Sequence, residues 1–279
     1  MNISAKIIKD SISEYNRITT IEISLPKVLL AEFGTHRVFS RSFSSSRAIP
    51  TAKLLQQDYF EPLFYGKNKQ GMQADSSLIE NVDEAQKIWY DAIQYNKSVS
   101  EKLTALGLHK QWANRPCDWF IMAKGIVTST EWDNFFNLRI HPDAQPEMAE
   151  LATKIKQTLM KSVPVNINYN QWHLPYISPN EIYDYRNHED KYVLQKISAA
   201  RCCRVSYLNH NGEHPNIQED LRLFEKLAGS NPKHYSPLEH IATPDSKTLF
   251  TKKWKHQHFH GNFVGWQQFR KMDELGLGL

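Results

Sequence analysis

Between Thr35 and Arg47 (THRVFSRSFSSSR), three arginines, one histidine and five serines fall within thirteen residues. Arginine presents a planar fork of donors that matches phosphate oxygens or pyrimidine carbonyls and stays charged at any working pH. Serine hydroxyls and the N–H groups of a tight turn add short-range donors, so the segment is equipped to hold a phosphate monoester. A solvated, basic, Ser-rich loop has the same composition, and these residues alone leave the two readings balanced.

Three more segments carry candidate chemistry. Asn134–Arg139 (NFFNLR) ends in an arginine whose permanent charge suits an anion developing on a ring carbonyl. The plain alternative is a helix-end arginine in an ordinary salt bridge. His234–His240 (HYSPLEH) brings a ring nitrogen, a hydroxyl and a carboxylate together. It also reads as a helix start, with Ser236 as N-cap, Pro237 in the first turn and Glu239 closing a capping box. Gly261–Lys271 (GNFVGWQQFRK) is aromatic and ends in two cations.

Other patterns are weaker. Cys117 after Pro116 would need an activated thiolate beside a histidine, and Asp118 next to it disfavours the thiolate. His256, His258 and His260 alternate and would share one face of a strand, but no carboxylate or cysteine nearby in sequence completes a metal set, so no metal is expected. Neither GxGxxG nor GxxxxGK[ST] occurs.

The elements that must position these residues follow from patterning. The 279 residues, 41% hydrophobic and 23% charged with a net charge of +4, suit a globular chain with a real core and are too mildly basic to argue for a nucleic-acid surface. No stretch approaches the roughly 20 apolar residues of a membrane helix. Met1–Asp10 lacks an apolar leader, and the cysteines Cys117, Cys202 and Cys203 suit a reducing compartment, so a cytoplasmic location is expected. Arg17–Leu25 alternates and predicts a strand; Pro26 opens a helical pattern through Phe39. Ser40–Ser46 and Asn68–Ser77 read as loops. Helices are expected over 79–106, 108–127, 144–162, 192–207 and 217–227, with a turn at Asn209–Asn216. The sum is one α+β domain, residues 1–279, with a small antiparallel sheet and long helices.

These segments together resemble the flavin-dependent thymidylate synthases. That family carries R-H-R, seven residues, S, any residue, R; here His36, Arg37, Ser45 and Arg47 fall on it in register, with Thr35 for the first Arg. The lead-in ITTIEISLPKVLLAEF is similar too. NFFNLR followed by Ala144-Gln145 and Glu147 is similar to the family's NFxxLR…AQxE, and Ala199–Tyr207 (AARCCRVSY) with HYSPLEH resembles AARVSF and HxSPFEH. By this resemblance Arg139 is the catalytic residue, polarising a pyrimidine for reaction at C5. Glu32, Ser45, Ser46, Arg47, Arg115 and Arg270 join it in binding the nucleotide. His36, Arg37, Asn134, Ser206, His234, Ser236 and Glu239 contact the cofactors. The resemblance implies FAD, with methylenetetrahydrofolate as carbon donor and NADPH as reductant. The substrate is a deoxypyrimidine monophosphate, dUMP becoming dTMP, in a homotetramer whose sites are built from several subunits. Neither a membrane nor nucleic acid is an expected partner.

The blocks 17–50, 108–150 and 195–243 stand in an order permuted from the family's common form, resembling phage-encoded members of a bacterial or phage-infected cytoplasm. Some residues depart from the family's pattern. Glu32 replaces a Gln, Ser42 and Phe43 replace an Asn-Glu pair, Thr128 and Thr130 stand for Asn and Arg, and Asp143 sits near the place of a His. Gln268 or Arg270 would then supply donors lost at Thr35 and Glu32. The altered loop motivates an alternative product, a 5-hydroxymethyl pyrimidine from dUMP or dCMP. A non-catalytic nucleotide- or nucleic-acid-binding relative is the alternative of another class, suggested by Trp254, Phe259, Trp266 and Phe269.

Overall fold

The computed structural model describes residues 3–74, 76–204 and 216–276. At its centre lies β2, Arg17–Pro26, the strand that RITTIEISL predicts. It pairs antiparallel with β1, Ser4–Ile12, across a turn in which the Ser13 backbone N–H and hydroxyl both donate to the Asn16 carbonyl. On its other side β2 pairs antiparallel with β4, Met122–Ser129, and β4 pairs with β3, Ser40–Phe43. The two-residue β5, Val165–Asn166, adds in parallel to β1, so the order is β3-β4-β2-β1-β5. β6, Ala242–Pro244, and β7, Trp266–Gln268, form a second, two-stranded sheet. The architecture is the expected α+β.

Side chains alternate across a strand, and both faces of β2 are covered. Ile21, Ile23 and Leu25 enter a dry core with Leu151, Ala152 and Ile155 of the Pro146–Lys161 helix. That helix buries Met148, Leu151, Ala152, Ile155 and Leu159, one face at helical spacing, with Pro146 in its first turn. On the opposite face Ile18 packs with Ala242, Phe263 and Trp266, and Thr20 meets His173. Behind this face, the Val193–Arg204 and Ile217–Ala228 helices enclose Ile197, Ala200 and Phe224 with Leu238 and Phe269. Fully buried Asp220 accepts from Arg201 Nε and Arg204 Nε, both at 2.9 Å, and Arg201 reaches Glu181 at 2.6 Å.

Several expectations change. The helix from Pro26 shrinks to a 3-10 turn at Lys27–Leu29 and one α-turn at Leu30–Phe33, because buried Phe39 must start the approach to β3. The Ser40–Ser46 loop is half strand. β3 is polar because Ser40 and Ser42 turn inward to hydrogen-bond partners, which hides the usual alternation. The apolar helix expected at 108–127 is instead a turn at Lys110–Ala113, a 3-10 turn at Arg115–Cys117 and then β4. Pro116 and Gly125 weaken a helix there, and β2 supplies the ladder that makes Ile126, Val127 and Thr128 a strand. β1 escapes the patterning. The helices at 79–106, 144–162 and 217–227 are found as Val82–Ala105, Pro146–Lys161 and Ile217–Ala228. The turn expected at Asn209–Asn216 falls, apart from Asn216, outside the described residues, as does the end of the 192–207 helix.

Burial alone would raise the Glu181 carboxyl, but hydrogen bonds from Arg201 and Ser178 outweigh it and hold it down at about 2. This lies below the unfolded value, so its stabilisation is complete above about pH 4.5 and disappears as pH falls towards 2. In urea titrations the wild type should lose ~3 kcal/mol more than Glu181→Gln over that range; parallel pH profiles would rule the ion pair out as a stabiliser.

Candidate active site

β3 and the turn after it form one wall of a cavity of about 270 Å³, contributing Arg41, Ser42, Phe43, Ser45 and Arg47. The opposite wall is His234, Ser236 and Pro237, with Leu227 and Cys203 from the two C-terminal helices. Two of the sequence blocks, far apart along the chain, thus meet across a single cavity. Ser45 is half-buried and Arg47 exposed; the Arg47 backbone N–H donates to Ser45 Oγ at 3.4 Å, closing a small turn. Arg41 braces the approach, donating to the carbonyls of Phe39 and Gly34 at 3.1 Å each. Burial pushes the Cys203 thiol up to about 11, so it is not a nucleophile at neutral pH.

The second cluster joins the first block to the end of the Asp133–Arg139 helix. Arg139 Nε donates to His36 Nε2 at 3.0 Å, and its NH2 group donates to Thr35 Oγ1 at 3.3 Å. Burial first, then the charges of Arg139 and Arg41, lower the His36 pKa. The ring is therefore neutral, with Nε2 as acceptor and the proton on Nδ1. Phe135 packs edge-on against it at 4.9 Å. The plain alternative for Arg139, a carboxylate salt bridge, is absent among the described residues; the guanidinium is held by neutral acceptors, with no carboxylate against it.

Other expected site residues are placed differently. Ser46 is buried; its hydroxyl accepts from Lys27 Nζ at 3.0 Å and its carbonyl from Asn114 at 2.8 Å, so it anchors the loop. Arg115 is exposed and pairs with Asp118 at 2.8 Å, and Asp118 pairs with Lys27 at 2.6 Å. Glu32 is exposed on its one-turn helix, and Arg37 is exposed beyond His36. Asn134 lines a different cleft, of about 730 Å³, with Val38, Trp132 and Lys156. Ser206 lies outside the described residues. Glu239 pairs with Arg270, which also holds Glu274 at 2.7 Å.

The capping box at Ser236 does not form: Tyr235 is the N-cap of a 3-10 turn over Ser236–His240, and Glu239 turns to Arg270 instead. Gln268 cannot supply lost donors, since its amide hydrogens already go to Ser40 Oγ and the Glu239 carbonyl. Cys117 is buried against Ser100 and Tyr59. His256, His258 and His260 lie around a 3-10 turn rather than on a strand, and His256 and His260 both bond Asp245, a carboxylate that sequence proximity did not reveal. Patterning also missed Lys27, and it gave neither the bonds of Arg41 to the Phe39 and Gly34 carbonyls nor the inward turn of Ser42 to His240. The signal for Ser42 was its place two residues from Ser40, the period of a strand face.

The family model of thymidylate synthase complementing proteins (Thy1) matches residues 9–165, more than half of the chain. The chain belongs to that family. As a Thy1 protein it is of the thymidylate synthase-like methyltransferase class. The match takes in Thr35–Arg47 and Asn134–Arg139 and stops before the C-terminal wall of the cavity. Among solved structures, the chain is similar to a UMP/dUMP methylase, PolB from Streptomyces cacaoi bound with 5-Br dUMP, at 13% identity and a TM-score of 0.45, over 57% of this chain and 90% of that one. Comparison with curated proteins gives no match. Among the described residues, no helix is long and apolar enough to cross a membrane and no group of three or more His, Cys, Asp or Glu side chains is placed to hold a metal ion.

In this Thy1 chain, the position of the Ser/Arg wall depends on Gly125 of β4, opposite Phe43. A Cβ there would lie 2.2 Å from Phe43 Cδ1 and 2.6 Å from the Ser42 carbonyl oxygen. Gly125→Ala should displace β3, lower stability by about 1–3 kcal/mol in urea titration and speed exchange of the Ser44 amide, which donates to the Lys124 carbonyl. Unchanged stability and exchange would mean that β3 is not seated this closely.

Proposed function

We propose that this protein adds a one-carbon unit to C5 of a deoxypyrimidine monophosphate, dUMP becoming dTMP, with a flavin and methylenetetrahydrofolate. The observation that carries the reading is the cavity itself, where Ser45 and Arg47 face His234 and Ser236. Arg47 and Ser45 hold the phosphate through a charged fork and a hydroxyl. Arg139 stabilises negative charge on the pyrimidine carbonyl as C5 becomes nucleophilic. Neutral His36 holds the guanidinium in place without neutralising it.

The flavin fits the chemistry of the donors more readily than the volume of one chain. His234, Ser236 and exposed Arg37 would hold it, but about 270 Å³ is at or below the size of a site for one drug-sized ligand. A dinucleotide must extend across neighbouring surface. This supports a homotetramer whose subunits complete one another's sites, as does the exposure of Val38, Leu138 and Ile140 beside His36 and Arg139 in sequence. When bound, reduced flavin would supply reducing equivalents to the transferred carbon, with NADPH as its reductant.

The first test is the visible spectrum of the purified protein before and after soaking with FAD and desalting. A retained flavin band is expected, and with dUMP, methylenetetrahydrofolate and NADPH the product should carry an added methyl mass. A hydroxymethyl mass would replace this product with the alternative one. No band would remove the flavin reading and favour a nucleotide-binding relative. Arg139→Lys should cut turnover by about 10²–10³ with little change in dUMP affinity; equal loss in both would assign Arg139 to binding.

A further inference from the structure

Behind the cavity wall runs a hydrogen-bonded chain that crosses four strands. Ser11 Oγ on β1 meets His173 Nδ1 at 2.9 Å, and His173 Nε2 meets Thr20 Oγ1 on β2 at 2.8 Å. Thr20 Oγ1 meets Thr128 Oγ1 on β4 at 2.7 Å. Thr128 Oγ1 meets His240 Nδ1 at 2.9 Å, and His240 Nε2 meets Ser42 Oγ on β3 at 3.0 Å. Ser11, Thr20, Thr128, His173 and His240 are all 0% exposed; Ser42, at 8%, lines the cavity.

Hydrogen counting polarises this chain. Burial lowers the pKa of His240 to about 3 and that of His173 well below its ordinary value, so both rings are neutral. Each hydroxyl and each neutral ring then brings one hydrogen to share along the chain. Every link needs one hydrogen, and neither Thr20 nor Thr128 has a further partner among the described residues to take its hydrogen out of the chain, so all point the same way and one is left over at an end. If they point towards Ser11, its hydroxyl hydrogen is stranded in the core, because His173 is its only side-chain partner among the described residues. Such an orphaned buried donor is costly. If they point towards Ser42, the spare hydrogen faces the cavity, where a ligand or water accepts it.

We propose that Ser42 binds the nucleotide phosphate as an obligate donor, with Thr128, His240, Thr20 and His173 as positioning residues that keep its hydrogen turned into the cavity. This rests on the reading that the cavity holds a deoxypyrimidine monophosphate. Both histidines are then Nε2–H tautomers. Ser42 therefore offers the cavity a hydrogen, whereas a solvated serine turns either way.

Long-range ¹H–¹⁵N spectra of the intact protein should show His173 and His240 as neutral Nε2–H forms; an Nδ1–H form at either ring overturns the proposal. In calorimetric titrations with dUMP, Ser42→Ala should weaken binding about tenfold, and Ser42→Thr should retain it. Thr128→Val lies outside the cavity. It should let His240 populate its other tautomer and weaken dUMP by about two- to fivefold, and Thr128→Ser should restore both. Full affinity in Ser42→Ala, or an unchanged His240 tautomer and affinity in Thr128→Val, overturns it. An unchanged affinity in Arg47→Ala would instead remove the nucleotide reading; the tautomers, and titration of inorganic phosphate into wild type and Ser42→Ala, would still decide the role of Ser42.

Discussion

A strand buried on both faces can leave no polar group without a partner, and β2 places this demand on everything around it. Ile21, Ile23 and Leu25 meet the requirement trivially, by carrying nothing polar into the core under the Pro146–Lys161 helix, while Arg17 and Thr19 on the same face meet it through Asp10. On the other face Ile18 is apolar as well, but Thr20 and Glu22 are not. Thr20 and Glu22 are covered by the C-terminal layer, and each draws a specific partner out of it. His173 bonds Thr20 at 2.8 Å, and the Tyr176 hydroxyl donates to Glu22 at 3.0 Å. A low-dielectric interior makes such bonds strong when complete and expensive when not, so the C-terminal layer has little freedom in how it sits on the sheet.

The candidate site inherits its geometry from that seating. His240, docked against Ser42 and Thr128, fixes the 3-10 turn at Ser236–His240, and this turn carries His234 and Ser236 to the wall opposite Arg47. The cations of the candidate segments, of which Arg41 and Arg47 line the cavity, are sorted by the same accounting of partners. Lys27 and Arg115 share Asp118, Arg270 is held by Glu239 and Glu274, and Arg41 caps two carbonyls. Arg37 and Arg47 stay exposed, and Arg139 is held only by neutral acceptors. What separates a structural arginine here from one available for an anionic ligand is whether a carboxylate or carbonyl lies within reach after folding, and composition does not contain that information.

Elements with strong internal patterning were legible in the chain. β2 and the helices at Val82–Ala105, Pro146–Lys161 and Ile217–Ala228 have periodicities set by which face is buried. β3 and β4 were not, for opposite reasons. β3 is too polar to look like a strand, because Ser40 and Ser42 bond inward. β4 is buried on both faces from Gly125 to Ser129, so its side chains lack the alternation of a half-buried strand, and a short mainly apolar run does not distinguish helix from strand. Within the site, Arg139 and the Ser45–Arg47 turn stood out by residue type. The bonding of Glu239 to Arg270 and of Gln268 to Ser40 did not, since those contacts join residues remote in sequence.

By itself, then, the sequence determined the inventory: the arginine forks, the hydroxyl-rich turn, the segments that place the chain among the thymidylate synthase complementing proteins, and the amphipathic faces that must find a core. Local chemistry suffices for these, because propensity, capping and periodicity act over a few residues. Only the tertiary structure decided which histidines are buried and neutral, which arginines are left without a carboxylate partner, and which serine hydroxyl faces the cavity. Those properties depend on desolvation and on the direction of hydrogen bonds. Both are set by partners that arrive from other strands, as when His240 closes on Ser42 and Thr128.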